Sequence, residues 1–175
     1  MTAFTGPFMI AACLLGVAGF AKAMQPTSTA GALAAMHLPH RTWMVRLGGL
    51  GEAVLVCAAL ATGATVLAML VAVSYVGFAV FVVVALVRGA PISSCGCLGK
   101  VDTPPHPVHV VLDLLAAGAA LGFAIQGGVS IFDVFADQPG FGVPFALLVV
   151  VGVAAAGLAM SALPQTLAAA RGPRA

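Results

Sequence analysis

Charge is what this chain has least of. Only 7% of its 175 residues are Asp, Glu, Lys or Arg, against roughly 25% in soluble domains. So few charges cannot coat a water-facing surface of this size, and 62% of the residues are hydrophobic. Lipid is therefore the expected solvent for most of the chain. A net charge of +2 gives no argument for nucleic acid as a partner. Four cysteines do not make a disulfide scaffold here, because Cys13 and Cys57 lie inside apolar runs. Low-complexity tracts and internal repeats are absent. No basic residue precedes the first apolar run, and Lys22 follows it. A signal peptide has the reverse order, so this run is expected to be a retained membrane helix.

What is present is a set of five apolar runs. They extend from about Phe4 to Met24, Trp43 to Ala61, Val66 to Val87, Val108 to Ile125 and Val143 to Leu163. At ~1.5 Å per helical residue, runs of this length suit a hydrocarbon core ~30 Å thick. The expectation is an all-α integral membrane protein, with residues 1–175 forming one transmembrane domain. Between the first two runs, Pro26-Thr27-Ser28 reads as a helix start with a hydroxyl N-cap. The stretch of about 27–38 is too short to span, and Pro39 ends it, which predicts an interfacial helix. Pro164 is expected to close the fifth span. Ala12 with Gly16, and Gly118 with Gly122, are small-xxx-small pairs that let helices approach closely and would allow homo-oligomers.

The seven basic residues all fall on one side of a five-span arrangement. Lys22, Arg41 and Arg46 flank the first connection, Arg88 and Lys100 the third, and Arg171 and Arg174 lie in the tail. The opposite side carries Asp133 and Asp137 and no base. The positive-inside rule then places the N-terminus outside the cell membrane, with the C-terminus and the third connection cytoplasmic.

That third connection holds the most reactive side chains, in Cys95-Gly96-Cys97-Leu98-Gly99-Lys100. Two thiols at i and i+2 are close enough to bridge, and Gly96 permits the turn. So small a ring is strained and easily reduced, which favours a transferable disulfide. Two alternatives stand beside it. One is a soft metal held by both thiolates with His106 and His109, although that spacing matches no standard zinc motif and no metal site is assigned. The other is an unreactive loop. Cys13 and Cys57 lie roughly 15–25 Å from this loop by helix rise, too far for direct exchange, and read as small buried apolar residues.

Two ionisable residues sit inside spans, at a cost that demands a partner. Lys22 lies near the inner end of the first span and Glu52 near the middle of the second. Both side chains lean toward their own helix N-terminus, so in antiparallel helices the heads converge. The plainest consequence is a structural ion pair; the alternatives are a proton or quinone-headgroup site and a Lys22 that snorkels to the surface. His109 and Asp113 are i and i+4 at the start of the fourth span, so Asp113 is placed to orient the imidazole. The alternative is an acid favoured by the helix dipole.

Taken together, Gly19-Phe20-Ala21-Lys22, Pro26, Leu38-Pro39, Glu52, Cys95-Gly96-Cys97-Leu98-Gly99 and Val110-Val111-Leu112-Asp113 resemble the MauE family of methylamine utilisation proteins, within the DoxX-like group. Leu98 stands where the family more often has Phe. The resemblance runs from about Phe4 to Ile125 and leaves out the fifth span. It implies a DoxX-like four-helix transmembrane bundle, to which this chain adds a fifth C-terminal helix. It also implies a role in making a disulfide-rich exported subunit with a thioredoxin-like partner, with Cys95 and Cys97 as the redox pair. The expected function is thus membrane thiol–disulfide exchange; the alternative is a non-catalytic scaffold or soft-metal-handling subunit. Disulfide delivery outside the cell conflicts with the cytoplasmic loop that the charges indicate, and the charge-based orientation is the one adopted.

Overall fold

A computed structural model describes residues 3–89, 105–137, 140 and 142–170. Those residues form seven helices: α1 (Thr5–Met24), α2 (Pro26–Ala35), α3 (Thr42–Thr62), α4 (Thr65–Arg88), α5 (Pro107–Ile125), α6 (Ile131–Asp137) and α7 (Gly142–Ala170). There is no strand among the described residues. Five helices, α1, α3, α4, α5 and α7, are long and apolar enough to cross a membrane. The protein is an all-α integral membrane protein.

The termini of these helices follow local chemistry. Gly63 and Gly89 end α3 and α4 in the left-handed conformation, at φ 63° and 57°, which glycine adopts without a steric penalty. Pro26 occupies the first turn of α2, where its missing N–H costs nothing. The expected hydroxyl cap on α2 is not made: the N-cap is Gln25, with no side-chain hydrogen bond. The proline alone suffices to fix the start of the helix. Ser130 and Asp133 cap α6 reciprocally, each side chain accepting a hydrogen bond from the other's backbone N–H.

The core lies where α1, α4 and α5 meet. Phe8 and Phe123 stack there with centroids 4.0 Å apart. Tyr75 donates its hydroxyl proton to the Ala11 carbonyl at 2.6 Å. The contacts also fix the direction of each helix. Phe4 at the start of α1 fits beside Gly122 near the end of α5, so these two run antiparallel. Gly6 meets Phe145 and Ile10 meets Gly152, so α7 runs parallel to α1. The outer faces of α3, α4 and α7 carry exposed Val54, Val73, Val87, Leu148 and Val151, the side chains a bilayer would cover. The short α2 turns Ala32 and Met36 against Ala85 near the end of α4.

Pro164, expected to end the fifth span, instead lies inside α7, which continues to Ala170.

Candidate functional site

The ends of α1, α4 and α7 and the start of α5 gather at one end of the bundle. The connection between α4 and α5 joins the chain there, and it contains Cys95 and Cys97. Both cysteines, together with Lys100, Arg171 and Arg174, lie outside the described residues. What is described is the helical framework beside that connection.

The framework begins with a close approach of two glycines. A Cβ added to Gly19 would stand 2.6 Å from the Gly49 carbonyl oxygen, and one added to Gly49 would meet Gly19 and Lys22. Side chains at either position would drive α1 and α3 apart. One turn further along α1, the Lys22 ammonium donates to Glu52 Oε1 at 2.8 Å and Oε2 at 2.7 Å. The lysine side chain is 7% exposed and the glutamate 18%. Lys22 Nζ also stands 4.2 Å from the centroid of the Phe78 ring, a cation–π contact that adds to the pair.

The other carboxyl, Asp113, is buried on α5. It borders a small cavity with Tyr75 and Phe78 of α4, Leu14, Leu15 and Ala18 of α1, and Met160 of α7. Lys22 is close enough to act on it electrostatically. Asp113 does not orient His109, because both imidazole nitrogens are engaged elsewhere. His109 Nδ1 accepts from the His106 N–H at 3.2 Å, and His106 Nδ1 accepts from the Val108 N–H at 3.2 Å. This is a capping box built from two histidines, and it fixes the start of α5. His109 Nε2 lies 3.0 Å from the Met160 carbonyl oxygen. The tautomer with its proton on Nε2 satisfies the contacts with the His106 N–H and the Met160 carbonyl, while Nδ1 also lies 3.2 Å from the His106 carbonyl oxygen.

The Met160 carbonyl is available for a specific reason. In an α-helix it would accept from the N–H of the residue four positions later. That residue is Pro164, which has no N–H. His109 supplies the donor that the proline removes.

Cys13 and Cys57 are free thiols, the first half-buried against the core and the second exposed on α3. Among the described residues no cluster of three His, Cys, Asp or Glu could hold a metal ion. Sequence reasoning singled out Lys22, Glu52, His109 and Asp113. It missed Gly49, Phe78, Tyr75 and Met160, for which the one readable signal was the spacing of Met160 and Pro164.

Neither a curated protein nor a solved structure matches this chain. The family profile described as Methylamine utilisation protein MauE matches residues 1–126, well over half of it. That stretch takes in α1 to α5, the Cys95-Gly96-Cys97 connection and every site residue on α1, α3, α4 and α5, leaving α6 and α7 outside. The chain is therefore a multi-pass membrane protein belonging to the MauE family, to which a further apolar helix is joined.

Proposed function

We propose that this chain is an integral-membrane thiol–disulfide redox protein of methylamine utilisation or of the maturation of a disulfide-containing protein. Cys95 and Cys97 pass electrons to or from a thioredoxin-like partner by way of a mixed disulfide. One partner thiolate attacks a sulfur of the Cys95–Cys97 disulfide, and the second partner thiol then resolves the link. The pair ends as two thiols and the partner as a disulfide, and the reverse sequence runs the exchange backward.

The observation that carries this reading is the sequence position of the two cysteines, between two spanning helices of a MauE family member. The Cys-Gly-Cys run falls between two spanning helices, outside the apolar segments. The His106–His109 box fixes the start of α5, which follows the connection, and the Lys22–Glu52 pair joins α1 to α3. The charge pattern supports an outside N-terminus and a cytoplasmic thiol connection, so the partner is a cytoplasmic thiol protein. No cofactor is required by the exchange itself; a quinone headgroup near Lys22 and Glu52 would be the electron acceptor if one is needed.

A second reading is a non-catalytic scaffold. It is favoured by the Lys22–Glu52 pair, whose bidentate geometry is that of a helix clamp. Trapping thiols by acid quench and alkylation in native membranes separates the two. Thiol exchange predicts a mixed-disulfide adduct of higher mass that is lost in Cys95→Ser. A complete lack of such adducts in the parent protein would leave the scaffold reading.

A further inference from the structure

The cavity beside Asp113 has no role in thiol exchange. Its volume is about 20 Å³, and a cavity of ~10–15 Å³ already accommodates one water-sized occupant. Asp113 is 3% exposed. Among the described residues no hydrogen-bond donor or salt-bridge partner reaches its carboxyl. The remaining lining is almost wholly apolar: Leu14, Ala18, Tyr75, Phe78 and Met160 contribute hydrocarbon, aromatic and thioether surface. A buried carboxyl in such surroundings is costly unless a donor is brought to it.

The charges nearby restrict what that donor is. The cluster contains one base and two acids. Lys22 directs its hydrogen bonds to both oxygens of Glu52 and rests on Phe78. Glu52 thereby balances the one base of this cluster among the described residues, and Asp113 is left as the odd carboxyl. With Asp113 ionised, the cluster is neutral only with one further positive charge, and an ion that carries N–H donors would satisfy the carboxyl as well. The size of the space limits that ion to very few heavy atoms, and the apolar lining tolerates a methyl group beside the charge.

We propose that this cavity is a binding site for a compact ammonium-type cation, held by hydrogen bonds from its N–H groups to the Asp113 carboxyl and enclosed by Phe78 and Met160. Met160 is the wall with most freedom, since its unbranched thioether side chain adapts to an occupant. The helix that carries it is fastened by the His109 hydrogen bond, so α7 closes the cavity. This site stands independently of the thiol chemistry and uses neither Cys95 nor Cys97.

The test is thermal unfolding of the full-length protein in nanodiscs with chlorides of ammonium, methylammonium, ethylammonium, tetramethylammonium and sodium at matched ionic strength. A bound ion raises the unfolding temperature in a saturable way. The expected result is saturation with ammonium, methylammonium or both, at least tenfold weaker action of tetramethylammonium, and none of sodium. Saturation by ammonium alone keeps the site and limits it to one heavy atom. Asp113→Asn and Ala18→Leu, which removes the carboxyl and fills the space respectively, should each abolish the shift, whereas Cys95→Ser should leave it intact. The proposal is overturned if the parent protein shows no saturable shift. It is also overturned if sodium or tetramethylammonium acts as strongly, or if a folded Asp113→Asn or Ala18→Leu variant retains the response. Because the size series needs only the parent protein, a variant that fails to fold does not weaken the test.

Discussion

The imidazole of His109 donates to the carbonyl of Met160 at 3.0 Å, and this bond joins the family fold to the helix beyond it. The acceptor exists because Pro164 withholds the amide that would otherwise take it. His109→Ala should therefore leave a buried carbonyl unpaired and cost about 1–3 kcal/mol of stability. In a Pro164→Ala background the helix regains its own donor, and the cost of His109→Ala should shrink. A double-mutant cycle on thermal unfolding checks this; simple additivity would show that the bond does not hold α7 in place.

Removing one partner of the Lys22–Glu52 pair strands the other charge in an apolar seam. Glu52→Gln or Lys22→Met alone should destabilise the protein by ~3–5 kcal/mol. The combination Lys22→Met with Glu52→Met should recover much of that loss, because two apolar side chains leave no charge unpaired. Denaturation of the purified protein in detergent measures all three. A double variant no better than the singles would mean that the pair does more than clamp α1 to α3.

The glycine contact makes a sharper contrast. Gly19→Ala places a methyl group 2.6 Å from the Gly49 carbonyl oxygen, so the two helices must separate. A loss of ~1–3 kcal/mol is expected from that overpacking. Gly48→Ala, one residue from Gly49, meets nothing within 4 Å and should be neutral or slightly stabilising. Comparing the two unfolding temperatures isolates the steric effect from helix propensity.

Much of this framework was legible in the sequence, and the exceptions share a cause. Five apolar runs bounded by Gly, Pro and charge specify five helices, because helix length and hydrocarbon thickness are matched physical quantities. Lys22 and Glu52 were traceable to each other because buried charges require partners. Pro164 was misleading because its local effect, to break a helix, is offset by a tertiary donor 55 residues away in sequence, at His109. The His109–Asp113 spacing was misleading for a related reason. Helical periodicity puts them on one face, but it does not say that His106 and Met160 reach the ring nitrogens first. Gly118 with Gly122 also read as a helix-packing face. In the fold Gly122 receives the Phe4 ring, while Gly118 has open space around it.

The charge-based topology makes its own prediction. In a Cys13→Ala/Cys57→Ala background, a membrane-impermeant maleimide applied to intact cells should leave Cys95 and Cys97 unmodified until the cells are lysed. Modification before lysis would place the connection outside and make the protein a donor of disulfides to exported proteins.

The central claim, that Cys95 and Cys97 interconvert between dithiol and disulfide, is tested most directly by equilibrating that same background protein in a series of glutathione buffers and counting alkylated thiols by intact mass. The account predicts a reversible two-electron transition that vanishes in Cys95→Ser. Two thiols that stay fully alkylatable across the whole series, in folded protein, would contradict it.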